Sequence, residues 1–401
     1  MRICFMDPGP PSMTSISRLS IQPRTEAALD ELLGSFPTPP AGGFDLVLLF
    51  ATPPHAATLG RLAAEIQQRG LASHVLGCTA ESIIGNDQEI EEEPAVSLLA
   101  LAQIGPVELF SLHTETEYET ASGTPTSPLP APRAGSTVLL FADPFTFPAE
   151  RYLQCWPGVL LIGGMASASP RPGGNRLILD RHVFQQGAVA AVIQPGKLRT
   201  VVSQGCRPIG RPFLITRADR NLILELGRRP AVEVLQELAQ ELPPEDLALA
   251  RQGLHVGRVM NEYQERFEHG DFLVRNVVGL DEQGAIAVTD LVRVGQTVQF
   301  HVRDASTADE DLKSLLARDR AQHPLAPADA ALIVTCNGRG SRLFQEPHHD
   351  VRAVRSILGP IPAAGFFAMG EIGPVAGRNY IHGFTASIAL FTPGNAPAHA
   401  E

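Results

Sequence analysis

Basic charge is scarce in this 401-residue chain: 32 Lys and Arg stand against 43 Asp and Glu, a formal net charge of −11. That balance argues against a general nucleic-acid binder, which must meet phosphate with basic surface. It argues equally against a polybasic membrane anchor. No run of about 18 apolar residues occurs, so no membrane span is expected. The opening MRICFMDPGPPSM holds no apolar core of signal-peptide length. Cys4, Cys78, Cys155, Cys206 and Cys336 are scattered and form no CxxC pair, which removes zinc-knuckle and thioredoxin-type readings. A widely spaced, odd set of thiols suits a reducing compartment, and a soluble, cytoplasmic protein is expected. GxGxxG, Walker and HExxH patterns are missing too, and neither a metal nor a cofactor is expected.

What the chain has in quantity is turn formers, with 34 Pro and 36 Gly, on an ordinary globular background of 44% hydrophobic and 19% charged residues. The length suffices for two domains with real cores. Residues 1–24 read as a loose polar tail. Thr25–Leu33 reads as a short helix, and Phe44–Ala51 (FDLVLLFA) as a buried strand. Thr52 can cap a following helix with Pro53 and Pro54 in its first turn. Leu59, Leu62, Ala63 and Ile66 give that helix one apolar face, and Gly70 closes it. Leu71–Leu76, Ala95–Leu101 and Val107–His113 read as further strands. Strands joined through helices make α/β units. Residues 114–135 are polar and Pro-rich, a flexible insertion.

The pattern then restarts. Val138–Ala142 (VLLFA) with Pro144 copies Val47–Ala51 (VLLFA) with Pro53. A weaker third copy aligns Gly77–Gly85 with Gly365–Gly373, and Ser97 in AVSLLAL with Ser387 in FTASIALF. The expected fold is therefore α/β, with two domains on mixed, largely buried β-sheets with flanking helices and three related strand–helix–Gly-turn units. The domains are placed at 25–215 and 216–392, with a tail at 393–401. Within the second, 219–251 reads as helical. Asp271–Val278, Ala285–Thr289 and Thr297–Val302 read as a β-meander. Asp304–Arg318 reads as a helix with Ala308, Leu312, Leu315 and Leu316 inward.

Candidate chemistry concentrates between Ala331 and Phe391. Cys336-Asn337-Gly338-Arg339-Gly340 follows a strand; its exposed N–H groups can hold a carboxylate or phosphate, and Arg339 can fork onto one. The blander reading pairs Arg339 with a neighbouring carboxylate. Glu371, between Gly370 and Gly373-Pro374, can take an ammonium group or a peptide N–H, or simply satisfy local donors. Together Arg339 and Glu371 suit a zwitterion such as an amino acid. Cys78 and Cys336 both follow strands, with His382 a conceivable base for a nucleophile. Free cysteines are more often small core residues. His348-His349-Asp350 is too compact for one metal ion, and Asp350 reads as a cap for a helix at Val351–Leu358. Glu89, Glu91, Glu92 and Glu93 read as a solvated acidic run.

GCTAESIIG, PAVSLLAL, FADPF and GGMAS resemble the N-terminal FIST (F-box and intracellular signal transduction) domain. FLVRNVVGLDEQGAIAV, VGQTVQFHVRDA, TCNGRG, GFFAMGEIGPV and HGFTASIALF resemble the C-terminal FIST domain, and the resemblance spans about residues 40–392. It implies a sensory, small-ligand-binding module of signal transduction, with an amino acid as one ligand class, rather than an established enzyme. With no F-box-like segment before residue 40 and no kinase or cyclase region, a stand-alone form with a separate signalling partner is expected. The ligand-binding set is Cys78, Cys336, Asn337, Gly338, Arg339, Gly340, Gly370, Glu371 and His382. An enzyme of unknown reaction using Cys336 or Glu371, and an interaction scaffold without ligand, stand as alternatives.

Overall fold

A computed structural model describes residues 15–112, apart from 35, 37, 38 and 41, and residues 131–392. The expected tail at 393–401, residues 1–14 and most of the expected insertion lie outside that range. One chain path occurs three times. Its first copy is β1 (Ile16–Ser20), α1 (Thr25–Gly34), β2 (Phe44–Ala51), α2 (Leu59–Gln68), β3 (Ala72–Thr79), β4 (Ser82–Gly85), β5 (Gln88–Glu91) and β6 (Val96–Leu101). The second is β7 (Glu108–Leu112), β8 (Thr137–Ala142), α3 (Ala149–Tyr152), β9 (Leu160–Met165), β10 (Leu177–Leu179), β11 (His182–Phe184) and β12 (Ala188–Ile193).

The third copy opens with β13 (Leu198–Gln204) and is then interrupted. The interruption is β14 (Cys206–Asp219), β15 (Leu222–Leu226), β16 (Arg229–Pro230), α4 (Ala231–Glu241), α5 (Pro244–Gln252), β17 (Leu254–Val259), β18 (Phe272–Leu280), β19 (Ile286–Val288) and β20 (Thr297–Arg303). The copy resumes with α6 (Ala305–Gln322), β21 (Ala330–Cys336), α7 (His349–Leu358), β22 (Ala363–Ala368), β23 (Glu371–Val375), β24 (Arg378–His382) and β25 (Thr385–Phe391). Because β14 pairs with both β20 and β15, the inserted strands close into an antiparallel barrel in the order β14-β20-β17-β18-β19-β15. Closure removes its edges.

In each copy the two long strands flank a helix and pair in parallel, and the return strand pairs antiparallel with the first: β2 with β3 and β6, β8 with β9 and β12, β21 with β22 and β25. The hairpin between them leaves its own sheet. β4 pairs with β22, β10 with β3, and β23 with β9, so every sheet is completed by a neighbouring copy. This cyclic exchange ties the three units together through backbone hydrogen bonds.

The register makes the equivalence residue-specific. Gly77 pairs with Leu49, Gly163 with Leu140 and Gly365 with Ile333. A Cβ at these glycines would lie 2.0, 2.0 and 1.8 Å from the carbonyl oxygen of that same partner. Ile178, Ile372 and Ile84 of the exchanged strands lie opposite the three glycines in turn. Alternation along the strands splits the apolar residues between two faces. Leu46, Leu48 and Phe50 join Leu139, Phe141, Leu332, Val334 and Phe366 in one shared central core. Val47 and Leu49 pack outward against α1 and α2, Val138 and Leu140 against the α3 segment, and Ala331 and Ile333 against α6 and α7. At the centre the rings of Phe50, Phe141 and Phe366 meet pairwise at centroid distances of 5.5, 5.2 and 5.4 Å. Each such pair adds about 0.5–1.5 kcal/mol beyond its buried area.

Several expectations change. Residues 16–20, expected in the tail, form β1 and pair with β6. Residue 216, expected to start the second domain, falls inside β14. Leu222, Ile223 and Leu226 belong to a barrel strand rather than a helix, because β15 pairs with β14 and β19 on either side. The expected meander is broken: β20 pairs with β17 and β14, not with β19. Thr52 does not cap; its hydroxyl and Ala95 N–H bond at 2.8 Å. Asp304, by contrast, caps α6 by accepting from the N–H groups of Ser306 and Thr307.

Alanine at Gly77, Gly163 or Gly365 should lower unfolding free energy by about 3 kcal/mol or more, the upper range for overpacking against an immobile neighbour. Alanine at Gly34, where an added methyl meets nothing within 4 Å, should be near neutral. Urea unfolding of the four variants checks this; a harmless substitution at any of the first three would break the equivalence.

Candidate functional site

At the carboxyl ends of the parallel strands the three copies interlock. Glu81 N–H donates to Ser167 Oγ at 3.0 Å, Ser167 Oγ donates to the Phe367 carbonyl at 2.5 Å, and Met369 N–H donates to the Met165 carbonyl at 3.1 Å. The Cys336–Gly340 turn starts from this platform, with Asn337 N–H on the Ala368 carbonyl at 3.0 Å. Gly340 has φ +58°, and a Cβ there would lie 2.7 Å from Glu91 Oε1. Glu91 is therefore engaged: Ser341 Oγ and N–H donate to it at 2.6 and 2.9 Å. Glu89 is buried and accepts Val351 N–H at 3.0 Å. Burial, with Asp350 nearby, raises its pKa to about 8. Glu92 pairs with Arg342 at 2.6 Å. Glu92 and Glu93 are exposed, as expected of a solvated run, but Glu89 and Glu91 form the seat on which the third copy's turn and helix rest.

Arg339 is 1% exposed. Its Nε and Nη2 donate to Asp350 Oδ2 and Oδ1, both at 2.8 Å. Thr335 Oγ1 donates to the same carboxylate at 2.5 Å, and His349 Nδ1 lies 2.9 Å from Oδ1. Burial alone would raise the Asp350 pKa, but the Arg339 guanidinium and His349 hold it well below the usual carboxylate range. Asp350 therefore does not cap α7, whose N-cap is His348 in the left-handed region. The Arg339 fork faces a carboxylate of its own chain, and its Nη1 is a buried donor without a partner.

Glu371 stands where the repeat is broken. Ile83 lies opposite Phe366 and Leu177 opposite Cys78; at the third such position Glu371 lies opposite Gly164. A Cβ at Gly164 would lie 2.8 Å from Val334 and 3.0 Å from Ala368, so that position takes glycine, while Glu371 puts a carboxyl group where the other copies place apolar side chains. Glu371 is fully buried; Oε2 accepts from Thr385 N–H at 3.1 Å and Thr385 Oγ1 at 2.8 Å, and Oε1 has no partner. Burial raises its pKa to about 8. The Cys336 thiol is pushed up to about 12, first by burial and then by the nearby Glu371, so it stays protonated at neutral pH. His382 pairs with Glu371 across the hairpin, lies 3.0 Å from the Gly373 carbonyl through Nε2, and is kept neutral by burial, with its pKa lowered to about 4.

Cys336, Asn337, Gly338, Arg339, Gly340, Gly370, Glu371 and His382 thus gather around the ends of β21 and β22 and the hairpin that follows. Cys78 does not join them: it lies in the central core, and burial raises its thiol pKa far above the ordinary value.

Beside this cluster the barrel and the third copy leave a cleft. One cavity of about 380 Å³ has His255, Asn276, Arg303, Arg342, Leu343 and Phe384 among its walls. A second, also about 380 Å³, is bounded by Arg275, Asn276, Met369, Gly370, His382 and Phe384. Phe384 and Asn276 are common to both. Phe384 holds φ +64°, a conformation costly for a bulky side chain. Its carbonyl accepts Gly205 N–H at 2.8 Å, and its ring lies 4.4 Å from the His255 ring and 5.5 Å from the Arg303 guanidinium. Arg303 Nη2 in turn donates to the Gly338 carbonyl, joining the cleft to the Cys336 turn. Sequence reasoning missed His255, Asn276 and Arg303, because barrel strands carry them to the site across long sequence separations. Phe384 sat in the HGFTAS motif without polar chemistry to single it out.

A model of the FIST N domain matches residues 45–229 and one of the FIST C domain matches residues 231–374. Uncharacterized proteins of Mycobacterium tuberculosis (strain CDC 1551 / Oshkosh) and Mycobacterium bovis (strain ATCC BAA-935 / AF2122/97) are similar over 370 residues. Each is 40% identical over 91% of this chain, covering 94% and 93% of their own lengths.

Two outcomes test these assignments. Arg339→Met leaves the Asp350 carboxylate buried without its cation and should cost about 3–5 kcal/mol in urea unfolding, while Arg339→Met with Asp350→Leu should recover most of it. Glu371 has a folded pKa raised above its unfolded value, so the native state holds its proton longer, and this group's contribution to stability falls as pH rises from about 4.5 to about 8. Glu371→Gln keeps an acceptor for Thr385 and removes that titration. Relative to wild type its midpoint should be unchanged near the lower end of the window and higher above the upper end, with Glu89 titrating alike in both proteins.

Proposed function

We propose a small-ligand-binding, sensory function for this chain, which belongs to the FIST family. FIST domains are associated with signal-transduction sensing. The observation that carries the reading is the cleft: two cavities that share a strained Phe384, walled by barrel residues such as His255, Asn276 and Arg303 and, from the third copy, by Arg342 and Leu343 in the first and Gly370 and His382 in the second. Their volumes fall in the lower part of the range for small-molecule sites. An amino acid or similarly sized metabolite is the ligand class.

The barrel joins the rest of the molecule through β13–β14 and β20–α6, where Gly205 accepts Asp304 N–H at 3.3 Å. A ligand touching both walls binds one barrel orientation more tightly than others and shifts the population toward it. The readout then passes to a separate signalling protein. No helix among the described residues is long and apolar enough to cross a membrane. A cytoplasmic location is part of the proposal, supported by scattered cysteines that suit a reducing compartment.

A thermal-shift screen against amino acids and central metabolites tests the reading. A ligand at 100 times its dissociation constant should add roughly 2.7 kcal/mol to stability. Leu254→Trp, which fills the first cavity from the barrel side, should abolish the response without unfolding the chain. A hit whose shift survives Leu254→Trp and a matching Ile381→Trp in the second cavity would place binding elsewhere.

A further inference from the structure

Building on the cleft reading, we infer that the first cavity takes the acidic group of an anionic ligand, a carboxylate or a phosphate, on Arg303. Cations near the cleft differ in how their charge is met. Arg342 pairs with Glu81 at 2.8 Å and Glu92 at 2.6 Å. Arg275 and Arg258 share Asp290 at 3.1 and 3.4 Å. Arg339 is forked onto Asp350. Arg303 has no carboxylate within 4 Å among the described residues: its bonds go to the carbonyls of Gly338 and Arg342, and its Nε is a buried donor with no partner.

A guanidinium partly withdrawn from water, with an open donor and no counter-charge, is set to receive an oxyanion by charge-assisted hydrogen bonds. The other walls agree. His255 is neutral, because burial and the adjacent Arg303 lower its pKa to about 4. It offers one donor and one acceptor without adding charge, and Asn276 adds an amide. Leu249, Leu254, Val277, Leu343 and Phe384 form an apolar wall for the body of the ligand. The fit is a small acid with an apolar body.

Calorimetric titration of the full chain with hexanoate, hexyl phosphate and hexanamide decides the matter. Hexanoate or hexyl phosphate should bind at least about tenfold more tightly than the amide, as loss of a charge-assisted bond implies. The stronger of the two acids identifies the oxyanion. Arg303→Met should cost that acid at least about tenfold, Arg303→Lys less, and Arg342→Met less than about threefold. Equal binding of acid and amide, both abolished by Leu254→Trp, would overturn the anion assignment and leave the cleft as the site. Acid binding unchanged in Arg303→Met would overturn it as well. Failure of all three probes on wild type, alongside a neutral or cationic hit in the metabolite screen, would do the same. Arg303→Lys guards against a fold defect, since it keeps the charge.

Discussion

Three glycines pressed against three carbonyl oxygens set the terms for this fold. Gly77, Gly163 and Gly365 let paired parallel strands lie so close that no Cβ fits between them. The next residue along each of those strands, Cys78, Gly164 or Phe366, faces inward, and the shared core closes around Phe50, Phe141 and Phe366. The exchanged hairpins then follow from need. A two-stranded parallel unit with one return strand leaves an edge exposed, and an unpaired edge is a liability. Each copy covers its neighbour's edge, so no unit is complete alone.

Against this repetition the departures carry the chemistry. Positions filled by Ile83 and Leu177 hold Glu371 in the third copy, and the residue opposite is trimmed to Gly164. The third copy also carries the buried Arg339–Asp350 fork and admits the barrel between its first strand and its helix. A buried carboxyl group with one open oxygen, and a buried guanidinium with one open nitrogen, are costly features that packing does not require. Two copies show that an apolar core suffices at that position. The repeat thus acts as an internal control that separates what folding demands from what the third copy has added.

Local pattern made the repeat legible. VLLFA twice, with a Gly inside the next strand twenty-odd residues on, is backbone logic written in side chains, and the Gly77–Gly85 alignment with Gly365–Gly373 coincides with the structural register. The two candidate turns were legible for a related reason, since glycines flanking polar residues mark tight backbone. What stayed hidden was pairing over distance. Arg339 looked available because its partner Asp350 seemed committed to a helix cap. Glu89 and Glu91 looked solvated with Glu92 and Glu93 because the segment they hold lies more than 200 residues away in sequence, on the order of 250. Leu222–Leu226 fits a helix face and a barrel strand equally well, and only closure with β14 and β19 decides.

Protonation states bear on what such a site can do. Cys336 is held as a thiol, His382 and His255 as neutral imidazoles, and Glu371 is shifted toward its acid form, in each case chiefly by burial. A nucleophilic cysteine needs the opposite environment, one that favours thiolate. Withdrawn neutral groups beside one uncompensated guanidinium give shape, hydrogen bonds and a single sign of charge, which are the elements of selective recognition. The strained Phe384 ties the cleft to the barrel's joint. Its left-handed backbone is held by Gly205, at the joint where the barrel leaves the third copy, and its ring packs on Arg303 and His255. Under the proposed function, a ligand that engages Arg303 would act through Phe384 on that joint, and a small local contact would have a route to the barrel's orientation.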